Sequence, residues 1–263
     1  MRCDKCRNEA VFFQAYSGRH LCSRHLVADI EARAKRSIRS HRWMRPGDHI
    51  AVVVSGDRRS AALLFFLKKL TAGRRDVRLS AVPVCEDENG AGVRSAAMRV
   101  AESLQVRCIK MPAPGDSGTA PIANITKIAV AVSLDDIAQS VLGQFLFGNA
   151  DRLVHPPPAE WYRIPVICPF IAVPSEELDR YWESEGTGIG CLSTTSGHDI
   201  LLQEIQGMLE DFSLRHPATG YALLHIAEDL SSGNVAAIGA AARPAAGCTP
   251  PHGILREVES GGV

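Results

Sequence analysis

The chain has no apolar run approaching the roughly 18 residues that a membrane span requires, so no membrane association is expected. Its first residues, which include Arg2, Cys3 and Lys5, lack the apolar core and small-residue cleavage site of a secretory leader, and the expected location is the cytoplasm. There is no internal repeat, which sets aside repeat architectures. Net charge is also missing, with 29 basic residues against 29 acidic ones. The 46% hydrophobic and 22% charged fractions are those of an ordinary globular protein. Its 263 residues allow a main core of roughly 150 to 200 residues with appendages. A disulfide framework is excluded by the expected compartment, so the eight cysteines direct attention to metal binding.

The zero net charge conceals an asymmetry. Residues 1–45 carry eleven Lys and Arg against four acids, Asp4, Glu9, Asp29 and Glu31. Within this head, Cys3, Cys6, Cys22 and His25 form a CxxC followed, after fifteen residues, by a CxxH. Two close ligand pairs joined by a short hairpin satisfy a tetrahedral zinc ion with little chain strain, and the polar surroundings of Cys3 and Cys6 do not suit a core. His20 and His41 remain alternative ligands. With all four positions filled, the site reads as structural, and so small a unit folds only with its metal.

Val27 to Trp43 reads as a helix with Ile30, Ala34 and Ile38 on one stripe. Its other faces are basic: Arg33, Lys35, Arg36, Arg39, Arg42 and Arg45 place six cations in thirteen residues without one acid, interleaved with His41 and Trp43. Such a run beside a zinc knuckle is an expected RNA handle, because each neutralised phosphate releases counterions, whereas a merely solvated face mixes signs. The other reading is a solvated helix face.

After the break at Pro46-Gly47-Asp48, the order becomes strand, polar loop, helix. His49 to Val54 is a buried strand, and Ser60 to Leu70 is a helix. Strands at Val77–Val84, Val106–Met111, Lys127–Val132 and Arg163–Ile167 alternate with helices at Gly92–Leu104 and Leu134–Phe147. This alternation predicts an α/β fold built on a mostly parallel sheet. Pro112 to Pro121 is a loop, and helices are expected at Ser175–Glu185, Asp199–Leu214 and Thr219–Leu230. The expected division is a zinc knuckle at 1–27, a basic helical linker at 28–47, a nucleotide-binding-type domain at 48–174, a helical part at 175–232 and a disordered tail at 233–263. The loop Ser55-Gly56-Asp57-Arg58-Arg59-Ser60 joins a strand end to a helix start, where backbone N–H groups favour a bound phosphate; an ordinary βα turn explains it equally well. Cys85, Cys108 and Cys168 read as small buried residues. Cys191 lies between glycines and serines, where a thiolate is stabilised.

These features resemble the PP-loop ATP pyrophosphatases that install 2-thiouridine in tRNA. The resemblance rests on the CxxC…CxxH knuckle, Tyr16-Ser-Gly-Arg-His-Leu-Cys22, the basic helix and the loop at Ser55. Leu134-Asp135-Asp136, Cys191 and His216-Pro-Ala-Thr-Gly-Tyr221 extend it along the chain. It implies a doubly wound, adenine nucleotide alpha hydrolase-like fold in which Ser55, Gly56, Arg59 and Ser60 hold ATP and Asp136 helps with Mg2+. It further implies that Cys191 handles sulfur and that tRNA is the substrate. A sulfur-carrier protein or an active paralogue is the implied protein partner, with a homodimer left open.

The chain also departs from the family pattern. Asp57 replaces the second glycine of Ser-Gly-Gly-x-Asp-Ser, and Arg59 stands where the acid belongs. The middle CxxC is missing, since residues 112–127 contain no cysteine, so an iron-sulfur cluster is not expected. Ala131-Val132 stand in place of a Gly-His pair. Two readings therefore stand side by side: an ATP-dependent tRNA sulfurtransferase, and a non-catalytic paralogue that binds RNA or a partner through its zinc-containing surface.

Overall fold

The computed structural model describes residues 1–83, 91–109, 124–148, 160–161, 164–185, 191 and 200–231. The tail at 233–263, the loop at Pro112–Pro121, Cys85 and Cys248 lie outside them.

A hairpin of β1 (Phe12–Gln14) and β2 (Arg19–Leu21) turns at Gly18, whose φ of 66° lies in the left-handed region. It feeds α1 (Ser23–Ser40), which begins four residues earlier than its apolar periodicity predicts. Cys22 is the N-cap, so His25 sits in the first turn, one turn beyond Cys22 and on the same side. The helix ends at Ser40 instead of Trp43. Arg42 takes a φ of 53°, and the Trp43 N–H returns to the Ile38 carbonyl, closing a left-handed C-terminal cap.

The sheet follows as β3 (His49–Val54), α2 (Arg58–Thr71), β4 (Arg78–Pro83), α3 (Ala91–Ser103), β5 (Lys127–Ala129) and α4 (Leu134–Leu146). It is completed by β6 (Glu160–Trp161) and β7 (Ile164–Ile167), and the helices α5 (Ser175–Glu185), α6 (Ile200–Arg215) and α7 (Thr219–Ser231) come last. Strand order is β4-β3-β5-β7-β6. The first four of these strands are mutually parallel, and β6 pairs antiparallel with β7 at the edge.

Two strands come out shorter than the sequence predicts. β5 is three residues long because β3 pairs with it only over Lys127–Ala129 and β7 only at Ile128 and Ala129. The segment expected as a strand from Val106 makes, among the described residues, only a parallel bridge between Cys108 and Ala81.

β3 is apolar throughout because both of its faces are covered. Ile50, Val52 and Val54 face a core shared with α1, α2 and α5, while Ala51 and Val53 join Val82, Ile128 and Ile164 on the opposite face. The first core runs without interruption into the N-terminal unit. Cys3, Leu21 and Cys22 belong to it together with Leu26, Ile30 and Ala34 of α1. α5 packs against both α1 and α2, and α4 packs against α6 and α7. Among the described residues no helix is long and apolar enough to cross a membrane.

The chain leaves β3 toward β4 on one side and returns to β5 on the other. The carboxyl ends of β3 and β5 therefore border the point where strand order reverses, the usual ligand crevice of an open α/β sheet.

Candidate metal centre and strand-end loop

The metal centre is built by short-range backbone geometry. The Cys6 N–H bonds to the Cys3 carbonyl in a tight turn, and the Asp4 N–H bonds to the His20 carbonyl, tying that turn to the hairpin. Four potential ligand atoms, from Cys3, Cys6, Cys22 and His25, lie within 4.8 Å of one another. The His25 Nδ1 is 3.3 Å from the Cys3 Sγ and 3.4 Å from the Cys22 Sγ, and the Cys6 and Cys22 sulfurs are 3.7 Å apart. Ligands about 2.0–2.3 Å from a tetrahedral ion form edges of about 3.4–3.8 Å, so the residues fit a single four-coordinate metal.

The ligand thiols are unequal. Burial opposes the Cys3 thiolate, but backbone hydrogen bonds and His25 outweigh it and bring the thiol down to about 6. For Cys6 a backbone hydrogen bond from the Asn8 segment favours the thiolate, yet burial and the Cys22 and Cys3 sulfurs push it up. A cation at the centre relieves that repulsion. The four clustered residues do not include the alternative ligands. His20 contacts Phe13 with ring centroids 4.6 Å apart, and His41 stacks on Trp43 at the far end of α1.

A buried polar node fastens this unit to the rest of the molecule. Glu177, 1% exposed, accepts from the Tyr16 hydroxyl at 2.9 Å, the Gln14 amide at 3.2 Å and the Arg33 guanidinium. Arg33 also pairs with Asp29 at 3.2 Å and donates to the Tyr221 hydroxyl at 2.9 Å and the Ala172 carbonyl at 3.1 Å. The hairpin, α1, α5 and α7 thus meet on one ion pair.

This geometry divides the expected RNA handle. Arg33 is a largely covered cation engaged in the node above, and Lys35 is paired with Glu31 at 2.9 Å. Arg36, Arg39, Arg42 and Arg45 are exposed and form no ion pair among the described residues. Helical spacing carried part of the difference, since Asp29 and Glu31 lie four residues before Arg33 and Lys35, but the acid that buries Arg33 lies 144 residues away.

The loop after β3 stands at the strand's carboxyl end, as expected. Gly56 takes a φ of 81°, which a side chain rarely tolerates. Asp57, missed as a functional residue in the sequence, dominates the local chemistry. As N-cap of α2 its carboxylate accepts the Ser60 N–H at 2.7 Å and the Ser55 hydroxyl at 2.9 Å. The Ser60 hydroxyl lies 3.3 Å from the Ser55 nitrogen. Donors suited to a phosphate are therefore already engaged by an internal anion. The available signals were its departure from the glycine pattern and the Asp-x-x-Ser spacing of an ordinary cap.

Across the crevice, Arg59 donates to both Asp136 oxygens at 3.1 and 3.2 Å. Asp136 also closes a capping box with Ser133 at the start of α4. The residue implied for magnesium is thus neutralised by the residue that replaces the family acid. Ser133 and Asp135 in turn hold Ser175 at the start of α5, at 2.9 and 2.6 Å.

Cys191 lies close enough to this loop to interact with Asp57 and Arg58. The expectation of a stabilised thiolate does not hold. Burial first, then Asp57, push the thiol up to about 11 against Arg58 and Trp182. Cys168 is buried and pushed up to about 12, as suits a core thiol.

Comparison with known proteins follows the same division. Residues 2–27 match the family described as 2-thiouridine synthetase TtuA, N-terminal LIM domain. A tRNA 2-thiolation protein NcsA from Haloferax volcanii is 36% identical over 117 residues, covering 40% of this chain and 36% of the relative. A cytoplasmic tRNA 2-thiolation protein 1 from Drosophila willistoni is 26% identical over 182 residues, covering 57% of this chain and 53% of the relative. The chain therefore spans between about a third and about half of these relatives' lengths.

The solved structure of the U34-tRNA thiolase NcsA from Methanococcus maripaludis, described with its [4Fe-4S] cluster, has the same fold. Its TM-score is 0.76 at 16% identity, over 88% of this chain and 87% of that one. The knuckle match and the sequence relatives both point to tRNA 2-thiolation proteins as what this chain is similar to, and the solved thiolase shares its fold.

Proposed function

We propose that this protein works in tRNA 2-thiolation as a divergent PP-loop ATP pyrophosphatase-like protein. In this reading zinc occupies the Cys3, Cys6, Cys22 and His25 centre, and tRNA is gripped by Arg36, Arg39, Arg42 and Arg45. The observation that carries the reading is the continuity of one core from the four-ligand centre to the strand whose loop borders the crevice. Ligand separations that suit one small tetrahedral ion support zinc.

In the activity proposed, the uridine C2 oxygen attacks the α-phosphorus of ATP, an O–P bond forms and pyrophosphate leaves. A sulfur nucleophile from a carrier then attacks C2 and expels AMP. Ser55, Gly56 and Ser60 receive the departing pyrophosphate once Asp57 has turned away. Arg59 supplies positive charge, Asp136 assists a metal ion and Cys191 is the candidate sulfur-handling residue. Magnesium would supply charge neutralisation at the phosphates.

A second reading has its own support. The Arg59–Asp136 ion pair and the Asp57 carboxylate satisfy, internally, the groups that ATP and magnesium require. They favour a non-catalytic paralogue that binds tRNA or an active partner. Incubating the purified protein with magnesium-ATP, tRNA and a sulfide source separates the two. AMP and pyrophosphate release above background supports catalysis; tRNA binding without release supports the RNA-binding module; neither turnover nor tRNA binding overturns both of these and leaves only the partner-binding form of the second reading, which pull-down with an active thiolase tests.

A further inference from the structure

The hairpin of the metal centre keeps aromatic surface out of the core. Phe13 is 50% exposed, and Val11, just before the strand, is 58% exposed. Phe13 lies directly opposite His20 in the ladder, and the two rings are in contact at 4.6 Å with planes tilted by 35°. The other side of the hairpin buries Gln14 and Leu21. Isolated exposed apolar residues are common and need no explanation. Three further features set this pair apart.

The first is rigidity. The His20 N–H bonds to the Asp4 carboxylate at 2.6 Å, and the His20 carbonyl accepts from the Asp4 N–H at 2.9 Å. Asp4 lies between the ligands Cys3 and Cys6, so the platform is pinned to the metal turn. The second is charge. The knuckle, residues 1–27, holds Arg2, Lys5, Arg7, Arg19 and Arg24 against Asp4 and Glu9. Of these, Arg2, Arg7 and Arg19 are exposed and make no ion pair among the described residues. The third is continuity, because β2 runs directly into α1, which carries Arg36 and Arg39 of the proposed tRNA grip and leads into Arg42 and Arg45.

A rigid aromatic face with cations on the same small unit is complementary to an unpaired nucleotide. The phosphate meets the arginines, and the base stacks on a ring that a base still stacked inside a duplex cannot reach. We infer that Phe13 and His20 form a stacking platform for a single-stranded nucleotide of the bound RNA, distinct from the phosphate grip of Arg36, Arg39, Arg42 and Arg45. The inference rests on the tRNA-binding reading.

The test measures the affinity of wild type, Phe13→Ala and Phe13→Trp for tRNA and for a single-stranded RNA decamer over a range of salt. Metal content and melting temperature are checked for each variant. Loss of one stacked base weakens binding by about five- to a hundredfold. Because no phosphate contact is removed, Phe13→Ala should show that loss on the decamer with an unchanged salt slope. Phe13→Trp should retain affinity, and its emission should be quenched on RNA addition. RNA binding by Phe13→Ala within about twofold of wild type, or tryptophan emission indifferent to RNA, overturns this inference and leaves the tRNA reading standing. Absence of RNA binding by the wild type overturns both.

Discussion

Asp57→Asn probes the crevice most sharply. The Asp57 carboxylate takes the Ser60 N–H at 2.7 Å and the Ser55 hydroxyl at 2.9 Å, so an incoming phosphate oxygen competes with it for the same donors. Even after the carboxylate swings aside, its charge stays close to the phosphate. Two unit charges about 4 Å apart repel by about 4 kcal/mol at an effective dielectric of about 20. Half of that surviving solvent screening leaves about 2 kcal/mol, or about thirtyfold in Kd. Asparagine keeps the capping oxygen and ranks with aspartate as an N-cap, so α2 retains its start. Calorimetric titration of pyrophosphate and ATP at fixed salt is the assay. The variant should bind at least about tenfold more tightly than wild type. Equal affinities in a variant that melts like wild type would refute the idea that an internal anion fills the phosphate position.

Glu177→Ala strands the Arg33 guanidinium and leaves the Tyr16 and Gln14 donors without their acceptor. Removing one partner of a buried pair costs about 3–5 kcal/mol, and Arg33 keeps Asp29, Tyr221 and Ala172, so the lower end is expected. The melting temperature of the metal-saturated protein should fall by about 6–12 °C, and a change under about 2 °C contradicts the node. Cys3→Ser and Cys6→Ser should each lose stoichiometric metal in elemental analysis. They should also melt at lower temperature, because the knuckle shares the main core.

A fourth prediction concerns acid. Burial raises the carboxyls of Asp29 and Glu31, but Gln14, Arg33 and Lys5 around the first, and Lys69 and Lys35 around the second, hold both below their ordinary values. The unfolded chain then takes up these protons first as pH falls. The stability they supply is present above about pH 4, the ordinary carboxylate value, and is lost below it. Denaturant midpoints measured on either side of that value should drop, and Asp29→Asn should flatten the drop.

Local patterns in the sequence were sufficient for most of the fold. The apolar run of His49–Val54 and the stripe of α1 depend only on residues a few positions apart, and the chain forms them as read. The four ligands could be chosen because CxxC and CxxH spacing places each pair within one turn. Legibility failed where a distant partner decides the role. Arg33 looked like any other member of a basic run until Glu177 claimed it. Arg59 and Asp136, 77 residues apart, were assigned to ATP and to magnesium respectively and are joined to one another. Asp57 was legible as a departure from the glycine pattern, but its capture of Ser60 and Ser55 needed the loop's geometry. Strand ends depended on pairing length, which composition does not encode, and so β5 stops at Ala129.

In the proposed function the N-terminal head presents a tRNA-binding face through Arg36, Arg39, Arg42 and Arg45. The most direct measurement is the tRNA dissociation constant as a function of salt, for wild type and for the Arg36→Ala/Arg39→Ala double variant. Four phosphate contacts predict a slope of log affinity against log salt of about −3 to −4, reduced by about 1.5 to 2 in the double variant with metal content and melting unchanged. A wild-type slope near zero, or a double variant that binds tRNA as tightly and as salt-sensitively as wild type, contradicts it.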